Sequence, residues 1–106
     1  MNKLMRMLVL FDLPVTTKAE RAAASRFRKF LQSDGYHMLQ FSVYVRICGG
    51  YDSVEAHRAR LRAALPPKGA IRMLVITEKQ YESIEVLLGT REVQREPEEM
   101  EQLMLF

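Results

Sequence analysis

The chain holds a single cysteine, Cys48. It cannot close an internal disulfide, so a disulfide-stapled secreted scaffold is excluded and a reducing cytoplasm is the expected setting. No apolar run approaches the ~18 residues of a membrane span, so no membrane partner is expected. Met1-Asn2-Lys3-Leu4 runs straight into the first apolar segment without a small-residue cleavage site, so no signal peptide is expected. Glycine-rich phosphate loops, paired-cysteine zinc spacings and a nucleophile elbow are all missing. The apolar segments also lack the glycine- and aromatic-rich pattern of a sheet that stacks RNA bases. His37 and His57 lie far apart in regular segments and read as half-buried structural histidines. Cys48, at a strand end, reads as a packing residue rather than a nucleophile.

What is present fits one packed domain. The 106 residues are 48% hydrophobic, enough for a core that gains further from pairing with another chain. The formal charge is +3, but it is unevenly spread. Glu92, Glu96, Glu98, Glu99 and Glu101 outnumber Arg91 and Arg95 in residues 90–106. A basic body therefore precedes an acidic tail. Most of its bases are arginine, which makes bidentate phosphate contacts better than lysine does. This points to a polyanionic partner, although many soluble domains are mildly basic without one.

Met5 to Asp12 is a near-continuous apolar run ending at a carboxylate, followed by Leu13 and Pro14. Such a run suits a central strand buried on both faces. Pro14 cannot extend it, so Asp12 sits where the strand leaves the sheet. A carboxylate there can stay partly wet on a rigid support, which suits a metal ligand. Asp before Pro is also a common turn starter, and the residues alone leave both readings open.

Thr17-Lys18-Ala19-Glu20 is a capping box for a helix. Ala23, Phe27, Phe30 and Leu31 give it a buried stripe, and Gly35 supplies a left-handed stop. Two strands follow, Tyr36 to Leu39 and Phe41 to Ile47. In the second, Phe41, Val43, Val45 and Ile47 are expected on the buried face, with Ser42, Tyr44 and Arg46 on the wetter one. A second helix is expected from Asp52, capped by Asp52 and Glu55, with Val54, His57 or Arg58, Leu61 and Leu65 inward, and closed by Pro66-Pro67. Ile71 to Thr77 reads as a strand, Glu78 to Tyr81 as a polar turn and Ser83 to Leu88 as a short further strand.

The order is βαββαβ plus a short fifth strand: an α+β, ferredoxin-like split β-α-β sandwich. Residues 1–89 make this domain and residues 90–106 the acidic tail. Two helices cover one sheet face, so a second copy is expected on the other, giving a homodimer. The tail ends in Leu103, Met104, Leu105 and Phe106, read as a docking segment that adds a strand to a sheet edge of the partner protomer or of another protein. Lys18, Arg21, Arg28, Arg58 and Arg62 are the candidate nucleic-acid contacts, although any one of them also reads as part of a solvated helix face. One carboxylate holds Mg²⁺ poorly, because the ion requires six oxygen ligands. A two-fold pair would face two Asp12 side chains, able to share the ion and activate a water against a phosphodiester.

Several stretches carry a resemblance: Val9-Leu10-Phe11-Asp12, Phe27 to Leu31 through Gly35-Tyr36, Gln40-Phe41-Ser42-Val43-Tyr44, Gly69 to Thr77 and Val86 to Gly89. Together they make the chain similar to the small CRISPR-associated protein of the spacer-acquisition pair. The Gln-aromatic-Ser-Val-aromatic segment is the most specific of them. The resemblance implies a homodimeric ferredoxin-like fold and a metal-dependent endonuclease acting on RNA or DNA, with Asp12 as catalytic residue and Mg²⁺ ligand. It further implies a complex with the larger CRISPR integrase, in which the dimer bridges integrase units and supports the incoming prespacer duplex DNA. A purely non-catalytic DNA-binding adaptor in that complex is the alternative. Some members carry arginines just after the Asp loop; here that place holds Thr16, Thr17 and Lys18.

Overall fold

A computed structural model describes residues 3–89. The elements are β1 (Met5–Asp12), α1 (Lys18–Ser33), β2 (His37–Gln40), β3 (Val43–Cys48), α2 (Tyr51–Ala63), β4 (Ala70–Thr77) and a short α3 (Glu78–Glu82). One four-stranded sheet runs in the order β2-β3-β1-β4, every neighbouring pair antiparallel. This is the ferredoxin-like arrangement, with β1 in the interior of the sheet. The tail, including Leu103 to Phe106, lies outside the described residues.

Alternation along β1 divides the molecule. Met5, Met7, Val9 and Phe11 point at the helices and join Phe27, Leu31, Tyr36, Tyr44, Val54 and Leu61 in the core. Phe11 meets Phe27 edge to face, with ring centroids 5.3 Å apart. Arg6, Leu8, Leu10 and Asp12 point the other way. On that open face Leu8 registers with Val45 of β3 and Leu74 of β4, and Leu10 with Val43 and Arg72. Leu8 and Val45 are covered, while Leu10, Ile47 and Leu74 remain exposed, Leu74 by 53%. The strand is thus buried on both faces only over its middle.

Local signals place α1. Thr17 accepts from the Glu20 amide while Glu20 reaches back to the cap. Asp34 caps the other end, and Gly35 turns the chain at φ +92°. The positive angle favours glycine there, and a β carbon would also press on the Arg46 guanidinium, 2.8 Å away.

Five expectations need correction. In β3 the helix-side face is the one that carries Tyr44, which is fully buried; on the other face Val45 is buried as expected, but Ile47 is 46% exposed. Both faces of β3 are rich in apolar residues, and the larger volume of the Tyr44 ring fills the space beneath the helices. Phe41 is not in the strand at all; it forms a turn with Ser42, beside a register shift between Met38 and Gln40. α2 begins at Tyr51 with Gly50 as N-cap and no side-chain cap bond, so Asp52 sits inside the first turn; Leu65 falls beyond the helix and is exposed. Glu78 to Tyr81 is helical, because Thr77 and Gln80 form a capping box of their own. Ser83 to Leu88 forms no strand in this chain, and Leu87 and Leu88 are 90% and 96% exposed. An apolar pattern becomes a strand only when a sheet edge accepts its backbone.

Candidate functional site

Asp12 lies at the last position of β1, opposite Ala70, with its side chain on the open face. It is exposed and makes no ion pair among the described residues. Its backbone is fixed tightly. Gly69 stands at φ +113°, and a β carbon there would lie 2.8 Å from the Asp12 carbonyl oxygen and 2.7 Å from Leu13 Cδ2.

The loop after Asp12 is held by its own helix. The Thr16 and Thr17 amides both donate to Glu20 Oε1 at 3.0 Å, and the Thr17 bond pulls the Glu20 carboxyl below its ordinary range. Arg21 donates to the carbonyls of Val15 and Thr16 at 3.2 and 2.9 Å. Through Nη1, Arg21 therefore organises the loop, while its side chain stays exposed.

On the other side of the strand end, the Phe11 amide donates to Ser42 O at 3.1 Å. Arg28 lies against this junction. Its guanidinium sits 5.3 Å from the Phe11 ring centroid and 4.8 Å from that of Phe41, and Nη2 donates to Ser42 Oγ at 3.4 Å. Ser42 has φ +65°. The sequence places Phe41 on a buried face; its appearance at an exposed turn is unforeseen, and the family-like Gln-aromatic-Ser-Val segment is the signal that marks it.

The remaining candidates disperse. Lys18 opens α1 and is exposed. Arg58 pairs with Glu55 one turn away on α2, and Arg62 is exposed near that helix's end. The structure brings Arg28 to the Asp12 strand end and leaves Arg58 and Arg62 on a different helix. His57 is structural, as expected: its Nδ1 lies 2.7 Å from Asp34 Oδ2. Arg60 donates to Asp34 Oδ1 at 2.9 Å, and Arg46 donates to the Asp34 carbonyl. Burial pushes the Asp34 carboxyl up, but the bonds from His57 and Arg60 outweigh it and hold it below its ordinary value. This network joins α1, β3 and α2. No short-range sequence pattern announces it, because Arg46, His57 and Arg60 stand 12, 23 and 26 residues from Asp34. Cys48 is buried, as a packing residue should be.

Among the described residues no group of three or more His, Cys, Asp or Glu side chains could hold a metal. One chain thus offers one exposed carboxylate at this strand end.

Fold and site together define a ferredoxin-like α+β domain that presents an exposed acid at the end of an interior strand, with the Arg28 guanidinium over the neighbouring Phe11 ring on the helix side of the sheet. A family model described as CRISPR associated protein Cas2 matches residues 5–84. The chain belongs to this family. It is 50% identical over 102 residues to the CRISPR-associated endoribonuclease Cas2 of Acidovorax ebreus (strain TPSY), covering 96% of this chain and 100% of that one. It is 49% identical over 88 residues to the protein of the same name in Campylobacter jejuni, covering 83% of this chain and 62% of that one. The Flavobacterium psychrophilum protein of that name is 43% identical over 99 residues, covering 93% and 85%. Among the described residues no helix is long and apolar enough to cross a membrane.

Proposed function

We propose that the chain is a metal-dependent endonuclease of CRISPR spacer acquisition, active as a homodimer in the cytoplasm, with Asp12 as the catalytic carboxylate. The observation that carries this is Asp12, exposed and without an ion pair among the described residues, on the same open sheet face as Leu10, Ile47 and Leu74. An apolar sheet face favours a second layer, and a second copy is the simplest one. A two-fold axis near the strand ends would set two Asp12 carboxylates against one another. Two carboxylates with waters fit Mg²⁺, whereas one does not complete its six-oxygen shell. When bound, the ion would supply Lewis acidity and a more acidic water. Asp12 would hold it, Gly69 and Leu13 would keep Asp12 in place, and Arg28 would contact substrate phosphate. The relatives' names make RNA the first substrate to test.

A second reading keeps the dimer and removes the chemistry. In it the basic body bridges prespacer DNA for the larger CRISPR integrase, with Lys18, Arg21, Arg28, Arg58 and Arg62 as phosphate contacts and the tail as integrase docking segment. The exposed Lys18 and Arg62 favour it, since phosphate contacts give salt-sensitive binding with little sequence preference. Replacing Asp12 by Asn separates the two. Loss of Mg²⁺-dependent cleavage with retained nucleic-acid binding supports the nuclease. Undiminished cleavage overturns it, and spacer uptake unaffected by the substitution leaves the adaptor.

A further inference from the structure

The turn between β2 and β3 combines three features that core packing does not require. Phe41 is 77% exposed, although burying a phenylalanine is strongly favourable. Ser42 occupies the left-handed region at φ +65°, where residues other than glycine are uncommon and persist when their surroundings over-determine them. Those surroundings are explicit: the Phe11 amide holds Ser42 O, and Arg28 holds Ser42 Oγ. Arg28 then backs the Phe41 ring at 4.8 Å. The result is an aromatic plate on a pinned turn, with a cation against it and most of its surface in water.

We infer that Phe41 and Arg28 form a stacking site for an unpaired nucleobase, so that the nucleic acid taken at this end of β1 is single-stranded or has a splayed base. Every base has a flat π face that an exposed aromatic ring can take, and an adjacent guanidinium answers its phosphate. The interior of a paired duplex keeps its base faces stacked on one another and cannot use the plate. An apolar protein partner is a poorer fit, because it would have to cover the Arg28 charge without pairing it. The sheet itself offers no such plate. The inference rests on the reading that the chain binds nucleic acid, and it narrows the strand type.

The test measures binding of a short single-stranded RNA and of duplex DNA of equal length to the full chain, in EDTA so that cleavage does not intervene. A 2-aminopurine placed in the single strand reports stacking by quenching. Phe41→Ala should weaken single-strand binding about tenfold and abolish the quenching, Phe41→Trp should restore both, and duplex binding should change less than about twofold. Equal losses on both polymers, or no loss on the single strand, overturn the stacking site while leaving nucleic-acid binding intact. A wild-type chain that binds neither polymer in dilute salt overturns the nucleic-acid reading and the stacking site together. An unchanged melting temperature for Phe41→Ala shows that the fold is not at issue.

Discussion

The two ends of β1 carry opposite charges on the same face and treat them differently. At one end Arg6 is held by Glu78 through two bonds of 2.7 and 2.9 Å, and its guanidinium lies 4.1 Å from the Tyr81 ring centroid. At the other end Asp12 is exposed, and no cation among the described residues pairs with it. Arg6 is mostly buried and so needs its partner. Asp12 can remain bare because water solvates it. The difference teaches that α3 serves the fold, whereas the Asp12 carboxylate stays in water without a structural partner among the described residues.

The sharpest way to break this contrast is Asp12→Asn. Cleavage with Mg²⁺ should fall about a hundredfold or more, with the denaturation midpoint unchanged, as expected when a metal ligand and not a structural group is removed. Loss of stability instead would show that Asp12 has a structural role like that of Arg6.

Next in size is Asp34→Ala, which strips His57 and Arg60 of their shared partner. It should cost about 3 kcal/mol in urea unfolding, the scale of a broken buried ion pair. Because the folded state lowers the Asp34 carboxyl, its contribution is present above its unfolded value near ~4 and is lost as pH falls through the lowered one. A pH series should therefore show wild type and Asp34→Asn converging in acid.

Tyr36 supplies the alkaline counterpart. Burial raises its phenol from 10.0 to about 12, and its Oη lies 3.9 Å from Met7 Sδ. The neutral form is the stabilised one, so this contribution is complete below pH ~10 and is lost as pH rises towards ~12, by about 2 kcal/mol. A Tyr36→Phe variant should show a flatter alkaline limb.

The smallest effect is expected at the paired end of β1. Glu78→Gln should cost about 1 kcal/mol by urea titration and leave cleavage unchanged. A change in cleavage larger than the change in stability would mean that the two ends communicate.

Much of this was legible where the determining interactions are local. The capping box of Thr17 and Glu20, the stop at Gly35 and the exit of β1 at Asp12 each depend on residues within a few positions of one another. The facing of β3 was not legible. Val43, Val45 and Ile47 form a β-branched face as apolar as the opposite one, and only packing under α1 and α2 selects Tyr44 for the core. The Asp34 network was hidden for a different reason: Arg46, His57 and Arg60 come from other elements and meet Asp34 only after folding. Phe41 misled because its neighbour's backbone angle takes it out of the strand alternation. For the site, the position of Asp12 at the end of β1 was readable, but the contacts of Arg28 with Phe11 and Ser42 and the loop-holding role of Arg21 were not.

The burial of Cys48 has a practical consequence. A thiol enclosed between β3 and the core reacts slowly with labelling reagents while the domain is folded. A cysteine introduced at an outward position such as Lys18 would then be the reactive one, and spin or fluorescent probes attached there could report the distance between two copies without first removing the native thiol.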